Sequence, residues 1–348
     1  MIGGEYFIAQ KPVEDSLLYS LTSVCANHAF FSSGRDAFYT ALVRLDGARI
    51  WLPDFICKPM FDAAQHSQKA LHFYPVDAQL AVSTDWVAQV RQNDIVLVSH
   101  LFGMMQTELL NRLSGTGAVV ISDLTQTVYS LTSWQAAAAR STLILSSLRQ
   151  TAALPDGAIL ASAKHDIAAP EQLPSDEFWV TRAAALLSRG GSANQGFMSD
   201  ENYRLFKKAA LWLDANPAAS RKMSDCSRYL LATMSENEWE SQRLITHHNQ
   251  AILATHLSDK VPCPQVRPTR TLPEISISTF FPILLEPDQR TRLKAVLADQ
   301  RIYCPIHWDT AFLGSEHVLS KKILSIPCDA RYNDRDMKYI ATVITANL

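Results

Sequence analysis

Short runs of consecutive apolar residues recur through the first half of the chain, at Arg49–Pro53, Leu71–Val76, Ile95–Leu101, Val119–Asp123, Leu143–Leu148 and Ala158–Ala161. Stretches of helical period separate them. In Ile95-Val96-Leu97-Val98 the apolar side chains occupy successive positions, so a strand built from them must be covered on both faces. That alternation predicts βαβ units and a mostly parallel, helix-flanked sheet, an α/β fold. Upstream, Ser32-Ser33-Gly34 precedes the helically spaced Ala37, Phe38, Ala41, Leu42 and Leu45. A hydroxyl before such a pattern is an N-cap, and a helix N-terminus attracts an anion.

Beyond residue 165 the texture turns helical, with predicted helices near 174–188, over Asn202–Leu213, and from Asp225 to His256, punctuated at Gly190–Gly191 and Pro217. A second α+β piece follows: strand-like Ile275–Leu285, a helix over Asp288–Gln300, strand-like Ile302–Trp308 and a last helix from Asp334. These elements predict a large domain over residues 1–235 and a smaller C-terminal α+β domain over 236–348, with the boundary in the long helix.

Composition narrows the function classes. Hydrophobic residues make up 47% and charged residues 19% of the 348, enough apolar matter for a large core. Lys+Arg number 32 against 34 Asp+Glu, and no block of one sign offers a field to a phosphate backbone or an anionic lipid surface. Nucleic acid and membrane are therefore not the expected partners; a small molecule is. The 12 glycines are about half of ordinary usage and form neither a GxGxxG nor a Walker pattern. Six cysteines without CxxC spacing read as reduced thiols of a soluble, cytoplasmic protein, and no apolar run approaches the roughly 20 residues of a membrane helix.

Ligands of parallel sheets bind beyond the carboxyl ends of the strands, so the residues that just outlast each apolar run are the chemical candidates. These are Ser99 and His100, then Asp123 and Gln126, then Ser146, Ser147, Arg149 and Gln150. An aspartate at a buried strand end needs a cation, and the protonated ring nitrogen of a pyridine cofactor is one. A helix N-terminus at Gly34 with a nearby serine is the matching cup for phosphate. Together they point to pyridoxal phosphate. Each residue also has a plainer reading: Asp123 as a turn cap through Thr125, His100 as a packed histidine, Gly34 and Ser147 as cap and turn residues, Arg35 as a carboxylate partner. Cys57 reads as a small buried hydrophobe, and His307–Trp308 as either substrate-facing or packed. His247–His248 reads as a solvated helix face.

The chain resembles the DegT-like sugar aminotransferases, pyridoxal-phosphate (PLP) enzymes of fold type I. SSGRDAFYTAL is similar to the family's SGTxAL phosphate turn, IWLPDFIC to its second strand, FYPVD and VSHLFG to the strands that follow, and ISDLTQTVYS to its EDAAQA segment. RKMSD resembles its NYRMSD, and LSIPCDARYNDRDMKYI its C-terminal ending. The resemblance implies that Asp123 holds the pyridine nitrogen, Gln126 the ring hydroxyl, and Gly34, Arg35 and Ser147 the phosphate, with His100 near the ring. It also implies a homodimer.

One departure outweighs these matches. Relatives carry the Schiff-base lysine a few residues after the serine, followed in one branch by a PDGG turn. Here the order is Ser147-Leu148-Arg149-Gln150 and then Pro155-Asp156-Gly157-Ala158, which puts Gln150 in the lysine's place. An amide is neither nucleophile nor base, and an arginine of ordinary pKa, above about 12, stays protonated. Lys58, Lys164 and Lys222 are poor substitutes by position. Gln150 is not the histidine of the family's dehydratases either, Ser220 replaces an asparagine in RKMSD, and Cys57 falls near an expected aromatic ring. The expectation is a degenerate or atypical aminotransferase relative, unable to transaminate and linked to nucleotide-sugar or polysaccharide biosynthesis, with pyridoxal or pyridoxamine phosphate (PMP) held noncovalently if at all. The alternatives are a working sugar aminotransferase or dehydratase-like enzyme, and a non-catalytic binding protein on this fold.

Overall fold

The apolar runs become the strands of one sheet. In a computed structural model that describes residues 12–193, 200–266 and 277–348, β1 (Asn27–Phe31), β2 (Arg49–Pro53), β3 (Ala70–Tyr74), β4 (Ile95–Ser99), β5 (Val119–Asp123), β6 (Leu143–Ser146) and β7 (Ala158–Ser162) stand in the order β1-β7-β6-β5-β4-β2-β3. Strands β2 to β6 pair in parallel. β7 is antiparallel to both of its neighbours, β6 and β1, so it alone is reversed.

Successive residues serve opposite faces, as the unbroken apolar runs require. Ile50, Leu52, Leu97 and Ile121 pack under α2 (Gly34–Arg44) and α3 (Lys58–His66). Trp51, Val96, Val98 and Val120 face the other way, onto α4 (Thr107–Leu113). Ile144, Ile159 and Ala161 extend that second layer to Leu21 of α1 (Leu17–Ser23) and Trp134 of α5 (Leu131–Ala138). Full burial of side chains of this size contributes about 1.5–3 kcal/mol each, so the two layers are the main source of stability.

After β7 come α6 (Asp176–Ala193) and α7 (Asp200–Ala215) as a packed hairpin, and Gly190–Gly191 lies inside α6 instead of ending it. The predicted long helix over Asp225–His256 is two helices, α8 (Asp225–Thr233) and α9 (Glu236–Leu257). Ser235 makes the break: its backbone is extended, its hydroxyl accepts from the Glu238 N–H, and the Glu238 carboxylate accepts from the Ser235 N–H, a capping box. Three backbone hydrogen bonds tie this corner to the first described residues, from Val13 to Ala232, from Leu17 to Met234 and from Glu236 back to Asp15.

A second, two-stranded antiparallel sheet of β8 (Phe280–Leu284) and β9 (Ile323–Pro327) packs Phe281, Ile283, Leu324 and Ile326 against α9, α10 (Pro287–Asp299) and α12 (Asp334–Ala346). The short α11 (Val318–Lys322) leads directly into β9. Within the predicted strand 275–285, residues 275 and 276 lie outside the described residues. The predicted strand Ile302–Trp308 forms no ladder: Pro305 has no N–H to give, and its carbonyl takes a single bond from Ser325 at 3.1 Å. No described helix is long and apolar enough to cross a membrane.

Candidate functional site

The carboxyl ends of β4, β5 and β6 open together onto one cavity of about 780 Å³ counted to its mouth, within the range of small-molecule pockets. His100, Asp123, Gln126 and Ser147 reach it from those strand ends, and Gly34 and Arg35 from the first turn of α2. Gln150 stands at its rim, exposed to solvent. All seven candidate residues thus share one cavity, though they come from loops more than 100 residues apart in the chain.

Asp123 ends β5. One of its carboxylate oxygens accepts the N–H of Thr125 at 2.9 Å, and the Thr125 hydroxyl accepts the N–H of Ser147 at 3.0 Å. The turn-capping role and the cavity position therefore belong to the same residue. Burial pushes the carboxyl upward from the usual range, and only Thr125 acts against that; no basic group does. A carboxylate in this state is poised to accept a cationic N–H.

His100 is 1% exposed and follows β4. Its Nδ1 accepts the Gln106 N–H at 3.0 Å, which places the proton of the neutral ring on Nε2, and Nε2 has no partner. Burial pushes this imidazole down to about 3, so it stays neutral at physiological pH. Gln126 spends its carbonyl on the Phe102 N–H at 2.8 Å, leaving its NH₂ group to face a ligand as donor only. Phe102 sits in the left-handed region at φ 50°, a strained position for a bulky residue, and its carbonyl accepts from Gln265.

Also on the cavity wall, α2 begins with Ser33 as N-cap, its hydroxyl accepting the Asp36 N–H at 3.1 Å. A Cβ on Gly34 would lie 3.1 Å from the Cβ of Ser147, so glycine lets the two loops meet. Arg35 is 6% exposed; its Nη1 donates to the Leu213 carbonyl at 2.7 Å, while Nε and Nη2 have no partner. Arg149 also lines the cavity, and burial, with help from Arg182 and Arg35, pushes it down to about 9. The sequence expectation of an ordinary arginine there is corrected to this extent, although it remains a cation at neutral pH.

Among the described residues no lysine lines the cavity. Lys58 points outward into an ion pair with Asp62 at 2.6 Å, and Lys222 is exposed beside the Phe31 bridge. Cys57 lines the cavity at the start of α3, with its thiol pushed up to about 12 by burial, which keeps it protonated. Trp308 lines it too, its ring tilted 45° against that of Phe55, whereas His307 is packed, bonding Ser325 and lying edge-on to Phe102. Ser220 binds the Glu171 backbone and takes no part in the cavity.

Sequence reasoning missed Leu213 and the place of Arg182. Leu213 arrives from α7, 178 residues after Arg35, with no local signal. Thr125 was visible only as a cap partner. Asp156 of the PDG turn is fully buried and accepts bonds from Ser224 and Ser227, so that turn and the RKMSD segment meet.

The cavity suits a phosphorylated pyridine. It brings together an unopposed carboxylate, partnerless guanidinium N–H groups, a helix N-terminus and a donor-only amide. No family model and no curated protein sequence matches the chain. Solved structures do. A Streptococcus pneumoniae protein described as a candidate sugar aminotransferase, in its PMP form, superposes with a TM-score of 0.67 at 12% identity, covering 95% of this chain and 89% of that one. Its PLP form gives 0.65 at 12%, covering 95% and 91%. Serine palmitoyltransferase of Sphingomonas wittichii gives 0.59 at 13%, covering 95% and 75%. The fold is that of PLP-dependent enzymes of fold type I, a mostly parallel large sheet with a smaller C-terminal α+β part.

Proposed function

We propose that this chain is an atypical aminotransferase-like protein that holds pyridoxal phosphate or pyridoxamine phosphate noncovalently and does not carry out ordinary transamination. The observation that carries the reading is the half-buried Asp123 carboxylate with no cation of its own, in a cavity lined by no lysine among the described residues. The solved structures of similar fold include PMP and PLP forms, which supports the cofactor class.

Bound there, the cofactor would supply an electron-withdrawing pyridine ring, and the protein would supply position and charge. Asp123 would keep the ring nitrogen protonated. The NH₂ group of Gln126 would donate to the ring oxygen, since its carbonyl is already committed to Phe102. His100 would donate from Nε2 and, being neutral, would not compete with Asp123 for the cation. Gly34, Arg35 and Ser147 would receive the phosphate. Gln150, at the rim, can hydrogen-bond but cannot attack a carbonyl or move a proton. The substrate class we assign is a small sugar derivative, a nucleotide-sugar of polysaccharide biosynthesis, and the assembly a homodimer in which each chain divides into a large domain over residues 1–235 and a small one over 236–348.

Purified protein mixed with pyridoxal phosphate and then desalted tests this directly. A retained chromophore that acid denaturation releases, with no lysine labelled after borohydride, is expected. A borohydride-labelled lysine would instead make the chain a working aminotransferase, and no retained chromophore would leave a binding protein without cofactor. Gln150→Lys should create the absorbance of a lysine–pyridoxal imine; its absence in a folded variant would overturn the placement of residue 150.

A further inference from the structure

Three neighbouring guanidinium groups here keep buried N–H groups without acceptors. Arg35 leaves Nε and Nη2 buried and unpartnered. Arg149 makes no side-chain hydrogen bond to the described residues, and its Nε is buried. Arg182, on α6 behind it, also has a buried, unpartnered Nε, with its guanidinium 5.5 Å above the Phe206 ring. Arg35 and Arg182 are both close enough to disfavour the charge on Arg149.

Acidic compensation is short. Asp156 is the carboxylate that acts on both Arg149 and Arg182, and Ser224 and Ser227 already occupy its oxygens. Of the acids near Arg35, Asp36 is paired with Arg221 and Asp62 with Lys58, and Asp214 makes no hydrogen bond to it. Burying guanidinium groups with no bound anion is costly, and a cluster of them more so. A phosphate monoester carries close to two negative charges and three acceptor oxygens, which match both the excess charge and the number of idle N–H groups; a carboxylate matches neither.

We propose that Arg35 and Arg149, backed by Arg182 and by the first-turn amides of α2, clamp a phosphate monoester dianion, so that the cavity keeps its ligand by charge in the absence of a covalent tether. The clamp rests on the cofactor reading only for what carries the phosphate: the same chemistry is offered by the cofactor or by a phosphorylated substrate. Arg149, next to Gln150 in sequence, thereby takes a retaining role in the loop where relatives hold the lysine.

Titration calorimetry of the full-length protein tests the clamp with inorganic phosphate, pyridoxal phosphate, pyridoxal and glucose 1-phosphate. Arg149→Gln is expected to weaken inorganic phosphate and pyridoxal phosphate by about tenfold each, the loss of one charge-assisted contact, and to leave pyridoxal unchanged. Arg149→Lys should fall between variant and wild type, because it restores charge without the planar fork. Should Arg149→Gln fail to fold, Arg149→Lys and Arg35→Lys carry the comparison. Wild-type protein that does not bind inorganic phosphate, or variants that bind it as tightly as wild type, would overturn the clamp. Phosphate displaced by glucose 1-phosphate but not by pyridoxal phosphate would uphold the clamp and remove the cofactor reading; displacement by pyridoxal phosphate makes the cofactor the carrier.

Discussion

The carboxylate of Asp36 accepts two hydrogen bonds from Nη1 of Arg221, at 3.0 and 3.2 Å, and both side chains are buried. This pair joins the turn that opens α2 to the segment that leads into α8, and so fixes one wall of the cavity. Arg221→Met would leave the carboxylate buried without its cation, at a cost of about 3–5 kcal/mol. Adding Asp36→Asn to that variant should recover part of the loss, because the remaining group is neutral. Urea denaturation of the two variants and the wild type measures both steps.

Asp123→Asn should stabilise the ligand-free protein at neutral pH. The folded-state pKa of Asp123 is raised by burial, so the native state binds a proton more readily than the unfolded chain. Stability on this account is full at acidic pH and declines as pH climbs through the raised folded pKa. The variant therefore melts higher than wild type near pH 7, and the gap closes toward pH ~4, the ordinary aspartate range. Added pyridoxal phosphate should reverse the order, since only the carboxylate gains from the ring cation. Thermal melts from pH 4 to 8, with and without cofactor, read this out.

His100 gives the opposite slope. Its folded-state pKa of about 3 lies well below the ordinary value near 6.5, so the unfolded chain takes up the proton first. Stability from this residue is present above about pH 6.5 and drains away as pH falls toward 3, by up to about 1.4 kcal/mol per pH unit. His100→Gln, whose carbonyl can still accept the Gln106 N–H, should flatten the stability profile between pH 6.5 and 4. Denaturation midpoints across that range would show no change of slope if the imidazole were charged in the fold.

Gly157 has φ 131°, and a Cβ there would come within 2.8 Å of the Met223 sulfur. Its N–H donates to the Ser32 carbonyl at 2.8 Å, holding the turn against the loop that begins α2. Gly157→Ala should cost about 1–3 kcal/mol through backbone strain alone. Met223→Ala in the same chain relieves only the crowding, so it should not restore full stability in a melting experiment.

The apolar runs located β2, β4 and β5 to within two residues, because a strand covered on both faces must be apolar at every position and little else produces such a run. They carried no sign of direction. Ala158–Ser162 runs against its neighbours with the same composition as a parallel strand, and β1 was hidden because Asn27 and His28 dilute its three buried residues. The break at Ser235 was written locally, as serine followed three residues on by glutamate, but continuous helical period masked it. In the cavity, strand-end residues were legible from topology. Arg182 and Leu213 were not, since what brings them to the site is the packing of α6 and α7, to which no short motif refers.

The corner at Ser235 has one more effect. Residues 13 to 17 lie alongside it like a clasp, holding Ala232, Met234 and Glu236 by main-chain contacts that no side-chain substitution can remove. Trimming the protein as far as Leu17 would leave every residue of the cavity in the chain, yet it would free the pivot from which α9 departs toward the second sheet. Any shortened version made for crystallisation should therefore retain this strip, or the orientation of the C-terminal part will drift while the strand-end loops stay intact.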